Sequence, residues 1–171
     1  MEEDTLSSLE EIVQMSEQIH DFVEGGIPLR ELLGFSDRVM EEKYRLAYEA
    51  YQKGEYEEAI ARFSYLVSID SFQASYWLAL AHSQWKQGDF LGACNSYSSL
   101  TALDDQNPRH YFYLAHCHFR CHQIGEGIEA IERGIEMAGQ DHQYREIEEW
   151  GRKMLLKFEE NPIFDQFSLE K

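Results

Sequence analysis

The chain has 171 residues, 43% of them hydrophobic, and a formal net charge of −17 from 32 acidic and 15 basic residues. That length suits one domain with a continuous core, and the apolar content excludes wholesale disorder. So acidic a surface repels phosphate backbones, which argues against nucleic-acid binding. Residues 1–35 hold nine acids and one base, so about half of the excess charge lies there. No apolar run approaches the ~20 residues that span a bilayer. The start, MEEDTLSSLEE, lacks the basic and apolar stretches of a signal peptide. Three cysteines fit no disulfide framework. A soluble protein of a reducing cytosol is expected.

In chain order, Leu9, Ile12, Val13, Ile19 and Val23 fit an amphipathic helix. Gly25-Gly26-Ile27-Pro28 breaks it, and a short helix near Leu29–Leu33 follows, stopped by Gly34. Three segments then align without gaps at a spacing of 34: residues 40–73, 74–107 and 108–141. Leu46, Leu80 and Leu114 are in phase; so are Ala47, Ala81 and Ala115. Ala59, Ala93 and Gly127 share a phase, as do Phe63, Tyr97 and Ile131. The small residues let paired helices approach, and the large ones fill the space between them. Gly54 and Gly88 suit the turn inside each pair, where φ > 0 is cheap for glycine; His122 departs from that rule in the third copy.

Period and pattern match the tetratricopeptide repeat, a helix pair that buries its apolar face only by stacking. Trp77-x2-Leu80-Ala81 and Ala93-x3-Tyr97 fit the motif. Its late proline is replaced by Ser71, Asp105 and Gly139, so other turn residues must end the second helices, and Pro108 is placed to start the third repeat. After the repeats, Tyr144, Ile147, Trp150, Met154 and Phe158 form one stripe of a capping helix, which Asn161-Pro162 ends. The expected fold is all-α. It has an N-terminal helical segment (1–35), three repeats with a capping helix (36–160) and a tail (161–171).

The resemblance to the repeat implies a concave surface fed by the fifth, ninth and twelfth positions of each copy. These are Tyr44, Tyr48 and Tyr51; Leu78, His82 and Trp85; Phe112, His116 and Phe119. Spacings of four and three keep each trio on one helical face. Six aromatics of nine favour an apolar or amphipathic peptide; the competing view is that some simply pack between helices.

FVEGGIPLRELLG, followed by KYRLAYEAYQKGEYEEAIARFSYLVSID, resembles the class II chaperones of type III secretion, the SycD/LcrH type. The resemblance covers about residues 20–160. It implies a bacterial cytosolic chaperone without enzymatic activity or cofactor. Such a chaperone holds an extended segment of a hydrophobic translocator in the groove until secretion. Members of that family often dimerise through N-terminal helices, which makes the Leu9–Val23 stripe a candidate homodimer contact; the competing view is that it packs on its own first repeat. An alternative is a co-chaperone clamping an acidic peptide tail, which wants cations and amides where Tyr44 and Tyr48 stand.

YLAHCHFRCH, residues 113–122, raises the question of zinc. His118 and His122 are i, i+4, as are Cys117 and Cys121. The two pairs point about 100° apart around the helix, so no metal site is expected. No nucleophile–base signature or phosphate-binding loop is present. His82 and His116 are candidates for a pH response of client binding.

Overall fold

The computed structural model describes residues 28–160, with side chains through Leu156. The Leu9–Val23 stripe, the Gly25-Gly26-Ile27 break, the Asn161-Pro162 stop and the tail lie outside the described residues. Among the described residues every regular element is helical: α1 (Leu29–Leu32), α2 (Asp37–Gln52), α3 (Tyr56–Ile69), α4 (Ala74–Gln87), α5 (Phe90–Leu103), α6 (Pro108–Arg120), α7 (Ile124–Ala138), a 3-10 turn (His142–Tyr144) and α8 (Arg145–Glu160).

From α2 onward each helix packs on the next, α1 packs on α3, and α2 also reaches α4, so the first helices of the first two repeats touch across the seam. Ala47, Ala59, Ala81, Ala93 and Ala115 are fully buried, as are Phe63 and Ile131, and Tyr97 is 1% exposed. The expected close approach and filling therefore hold. Leu80 belongs to the core of the first repeat, and Leu114 to a core shared by the second and third repeats. This phase packs against the preceding repeat. Leu46 corrects the expectation: it is 37% exposed, because no helix pair precedes the first repeat among the described residues.

Turn chemistry follows the sequence closely. Gly54 and Gly88 take φ of 79° and 87°, and His122 takes 59° at the equivalent place. The Asp89 side chain caps α5 by accepting from the Gly92 amide, and Asn107 caps α6 by accepting from the Arg109 amide just ahead of Pro108. Near the missing proline of the motif, Asp70 and Asp104 end their helices by leaving the helical region, at φ −142°, ψ 84° and φ −130°, ψ 78°. The Trp77 indole N–H then donates to the Ser71 carbonyl at 2.7 Å, and His110 Nε2 meets Asp104 Oδ2 at 2.9 Å.

α1 is pinned by charge. Arg30 lies 3.1 Å from Asp70 and 2.9 Å from Asp37. Asp70 is 1% exposed, so Arg30 compensates a carboxylate otherwise stranded in the first repeat. At the other end, Trp150 and Met154 of α8 pack into the second core.

Candidate functional site

α2 and α4 place two side-chain rows against each other. Tyr44, Tyr48 and Tyr51 stand on one face of α2, and Leu78 and His82 on one face of α4; together they line a cavity of about 170 Å³. The tyrosines form a ladder: Tyr44 to Tyr48 is 6.3 Å at 8°, and Tyr48 to Tyr51 is 6.0 Å at 22°. Tyr44 also rests edge-on against Phe63 at 5.5 Å and stacks on Tyr76 at 5.7 Å. Tyr48 remains 43% exposed at the rim, and Phe63 is fully buried behind the cavity.

Sequence reasoning missed Ser75, Ala79 and Phe63 as lining residues. Ser75, Leu78, Ala79 and His82 run i, i+3, i+4, i+7, so extending the α4 face by one turn finds the first two. Phe63 was assigned to the core, and it serves as core and floor at once.

The site is electrically neutral at pH 7. Burial raises the Tyr44 hydroxyl pKa, with the neighbouring Tyr48 adding to it. Burial likewise raises that of Tyr51, helped by Tyr56 and Tyr48. Burial lowers the His82 pKa, and His110 and Lys86 push the same way, so its ring is neutral. Neutral hydroxyls and an imidazole offer directional hydrogen bonds without attracting a charged tail. Trp85 continues the α4 row but leaves the cavity. It packs edge-on against Phe90 at 4.9 Å and against His116 at 4.3 Å.

The third trio corrects the expectation of nine groove residues. Phe112, His116 and Phe119 are only 2–3% exposed. Phe112 is covered by α7 and α8: a Cβ on Gly151 would sit 2.5 Å from its ring and one on Gly134 3.1 Å, while Trp150 stacks edge-on at 5.4 Å. Phe119 occupies the space over Gly127, where a Cβ would fall 2.3 Å from its ring. In this repeat the packing alternative wins, because glycines admit the aromatics into the interior. The cavity between α2 and α4 is accordingly lined by residues of the first two repeats alone.

A larger cavity, about 610 Å³, lies between α6 and α7. Glu126, Glu129, Glu132 and Glu136 line it with Arg133. Its carboxylates suit water and cations better than apolar side chains.

Comparison with known proteins places this architecture. Residues 40–71 match the tetratricopeptide repeat family. Among curated protein sequences no match was found. Among solved structures, a type III secretion complex from Aeromonas hydrophila is similar at 25% identity and TM-score 0.76, over 84% of this chain and 95% of that one. The translocator chaperone SycD of Yersinia enterocolitica is similar at 25% identity and TM-score 0.65, over 76% and 97% of the two chains. The chain has the fold of a translocator chaperone. PcrH of Pseudomonas aeruginosa, solved with the chaperone-binding region of PopB, is also similar at 25% identity and TM-score 0.64, over 71% and 98% of the two chains. SycD itself has been solved with a peptide of the translocator YopD and in an alternative dimer. No described helix is long and apolar enough to cross a membrane.

Proposed function

We propose that this chain is a non-enzymatic chaperone of type III secretion in the bacterial cytosol. It binds an extended segment of a hydrophobic translocator protein and keeps that client soluble and unassembled until export. The observation that carries this reading is the neutral, tyrosine-lined cavity between α2 and α4, in a chain with the translocator-chaperone fold. An apolar cavity of about 150 Å³ takes a guest the size of benzene, so about 170 Å³ accommodates one apolar anchor side chain. Burying one such side chain contributes roughly 1.5–3 kcal/mol. Tyr48, at the rim, is placed to hydrogen-bond the peptide backbone beside the anchor. Tyr44, Tyr51, Leu78 and His82 form the walls, and Trp85 extends the row.

Recognition of an acidic tail is the weaker alternative. The cavity lining contains no lysine or arginine, and the chain's strong negative charge opposes a second acidic partner. Homodimerisation through residues 1–35 remains part of the proposal, and equilibrium sedimentation of chains with and without those residues tests it.

Co-purification from the native cytosol with mass spectrometry tests the function. The expected result is a hydrophobic secreted protein whose retention is lost in the double variant Tyr48→Glu, Leu78→Asp. The helical circular dichroism of that variant should match wild type. Undiminished client retention by the folded double variant overturns the site, and recovery of a heat-shock protein by its C-terminal tail favours the clamp.

A further inference from the structure

The spacing of 34 relates the two seams of the array residue by residue. The cavity between α2 and α4 has Tyr48 and Tyr51 on one wall, Phe63 as floor, and Ala79 and His82 on the other wall. The same places at the seam between α4 and α6 fall to His82 for Tyr48, Trp85 for Tyr51, Tyr97 for Phe63, Tyr113 for Ala79 and His116 for His82. The two floors agree: Phe63 is fully buried and Tyr97 is 1% exposed. The seams part company at one position. Ala79 ends at its methyl group beside an open cavity, whereas Tyr113 carries a ring into the equivalent space.

That ring touches the counterparts of the first cavity's lining. It stacks on Tyr97 at 5.6 Å and 22°, and meets His82 edge-on at 5.3 Å and 88°. His82 and Tyr97 are themselves 5.9 Å apart, edge-on. Floor and wall of the second seam thus close on one tyrosine ring, through the stacked and edge-on contacts that aromatic pairs favour. One turn further along α4, Trp85 packs edge-on against His116 at 4.3 Å and shuts the same seam. His82 belongs to both places: it lines the first cavity and receives the Tyr113 ring.

We propose that Tyr113 is the built-in occupant of a second anchor pocket, and that it confines the client site to one large apolar side chain. Given the client cavity proposed above, the chemistry is steric. The next apolar anchor along the client meets a filled place, so the wild-type site gains nothing from it. A phenol ring is close in size to benzene, the guest that an apolar cavity of about 150 Å³ accepts. Tyr113→Ala therefore opens a hole of the kind found in the first seam. Ala79→Tyr does the reverse: its ring finds Phe63 and Tyr48 where Tyr113 finds Tyr97 and His82, and it fills the first cavity.

Two measurements test this on the full chain. Xenon-pressurised crystals need no client: xenon is expected between His82 and Tyr97 in Tyr113→Ala and not in wild type. Fluorescence anisotropy uses labelled serine-rich peptides with one leucine, or with two leucines about two to four residues apart, a span of roughly 8–10 Å between packed helices. Wild type should bind one- and two-leucine peptides within about twofold of each other, and so should Tyr113→Phe, which keeps the ring. Tyr113→Ala should prefer the best two-leucine peptide by about tenfold or more, the gain from burying one further apolar side chain. Ala79→Tyr, with helical circular dichroism like wild type, should bind every peptide at least about tenfold more weakly. Three results each overturn the proposal: no xenon between His82 and Tyr97 in Tyr113→Ala; a wild type that already prefers two leucines; or a folded Ala79→Tyr that binds like wild type while Leu78→Asp loses binding. Peptides that bind wild type and Leu78→Asp alike refute the client cavity itself, and the xenon result still decides whether Tyr113 fills a pocket.

Discussion

His122 shows how one residue departs from its register and is accommodated. It sits where two earlier copies have glycine and takes the left-handed φ of 59°. A left-handed conformation costs a non-glycine residue roughly 1–2 kcal/mol. His122→Gly should therefore stabilise the chain by up to about 1 kcal/mol, after glycine's extra unfolded-state entropy offsets part of the gain. Urea denaturation measures it, and a lower midpoint contradicts it. His82 gives a pH prediction at the same scale. Its folded pKa is depressed by burial, with His110 and Lys86 contributing. As pH falls below about 6.5 the unfolded chain takes up the proton first. The stability due to the neutral ring is thus present above that pH and is lost toward the depressed folded value. The stability of wild type relative to His82→Phe should decline between pH 7 and 5 in paired urea titrations. A difference that stays constant contradicts the assignment.

At the scale of elements, glycine and aromatic placements are paired. Gly127 stands in the phase where the other copies have alanine, and its missing Cβ is the space that Phe119 fills. Gly127→Ala should destabilise by about 1–3 kcal/mol through overpacking. Phe119→Leu should restore part of that loss in the double variant, which thermal melting can measure. The α1 strap makes a second prediction. Arg30→Ala leaves Asp70, 1% exposed, without its cation; a cost of about 2–3 kcal/mol is expected, the pair being solvated on the arginine side. The sequence carried much of this. The helix pairs, the alanine contacts and the first tyrosine trio were legible, because each depends on spacing within one helix. The burial of Phe112, His116 and Phe119 was not legible. Phe112 depends on α7 and α8 supplying Gly134 and Gly151, Phe119 on Gly127 of α7, and His116 on Trp85 of α4; periodicity within α6 holds no record of these neighbours. Leu46 failed for the complementary reason: its phase looks backward to a preceding helix pair, which the described first repeat lacks.

For the whole molecule, stacking and charge divide the work. Two cores, one under the first repeat and one under the second and third with α8, are bridged by Trp77, which packs against both. Phe63 belongs to the first core and also lines the cavity between α2 and α4, so the proposed client site and the cohesion of the array share a residue. The surface meanwhile carries the net charge of −17, which favours solubility and discourages self-association. A complex with an apolar client gains from that charge, because the chaperone lends its solubility to the client.

The glycine cradle that lets α8 cover Phe112 has a consequence for the client. The cavity proposed to take the client opens beside Tyr48, while Phe112, one repeat further on, is buried. Under the proposed binding mode, a guest strand crosses two helices, α2 and α4, before the first-helix face is buried in the third repeat. With helix axes about 8–10 Å apart and an extended chain advancing about 3.3 Å per residue, the buried footprint is on the order of three to six residues. Such a short footprint favours easy release: a client gripped along so little of its length is surrendered by pulling on either flank.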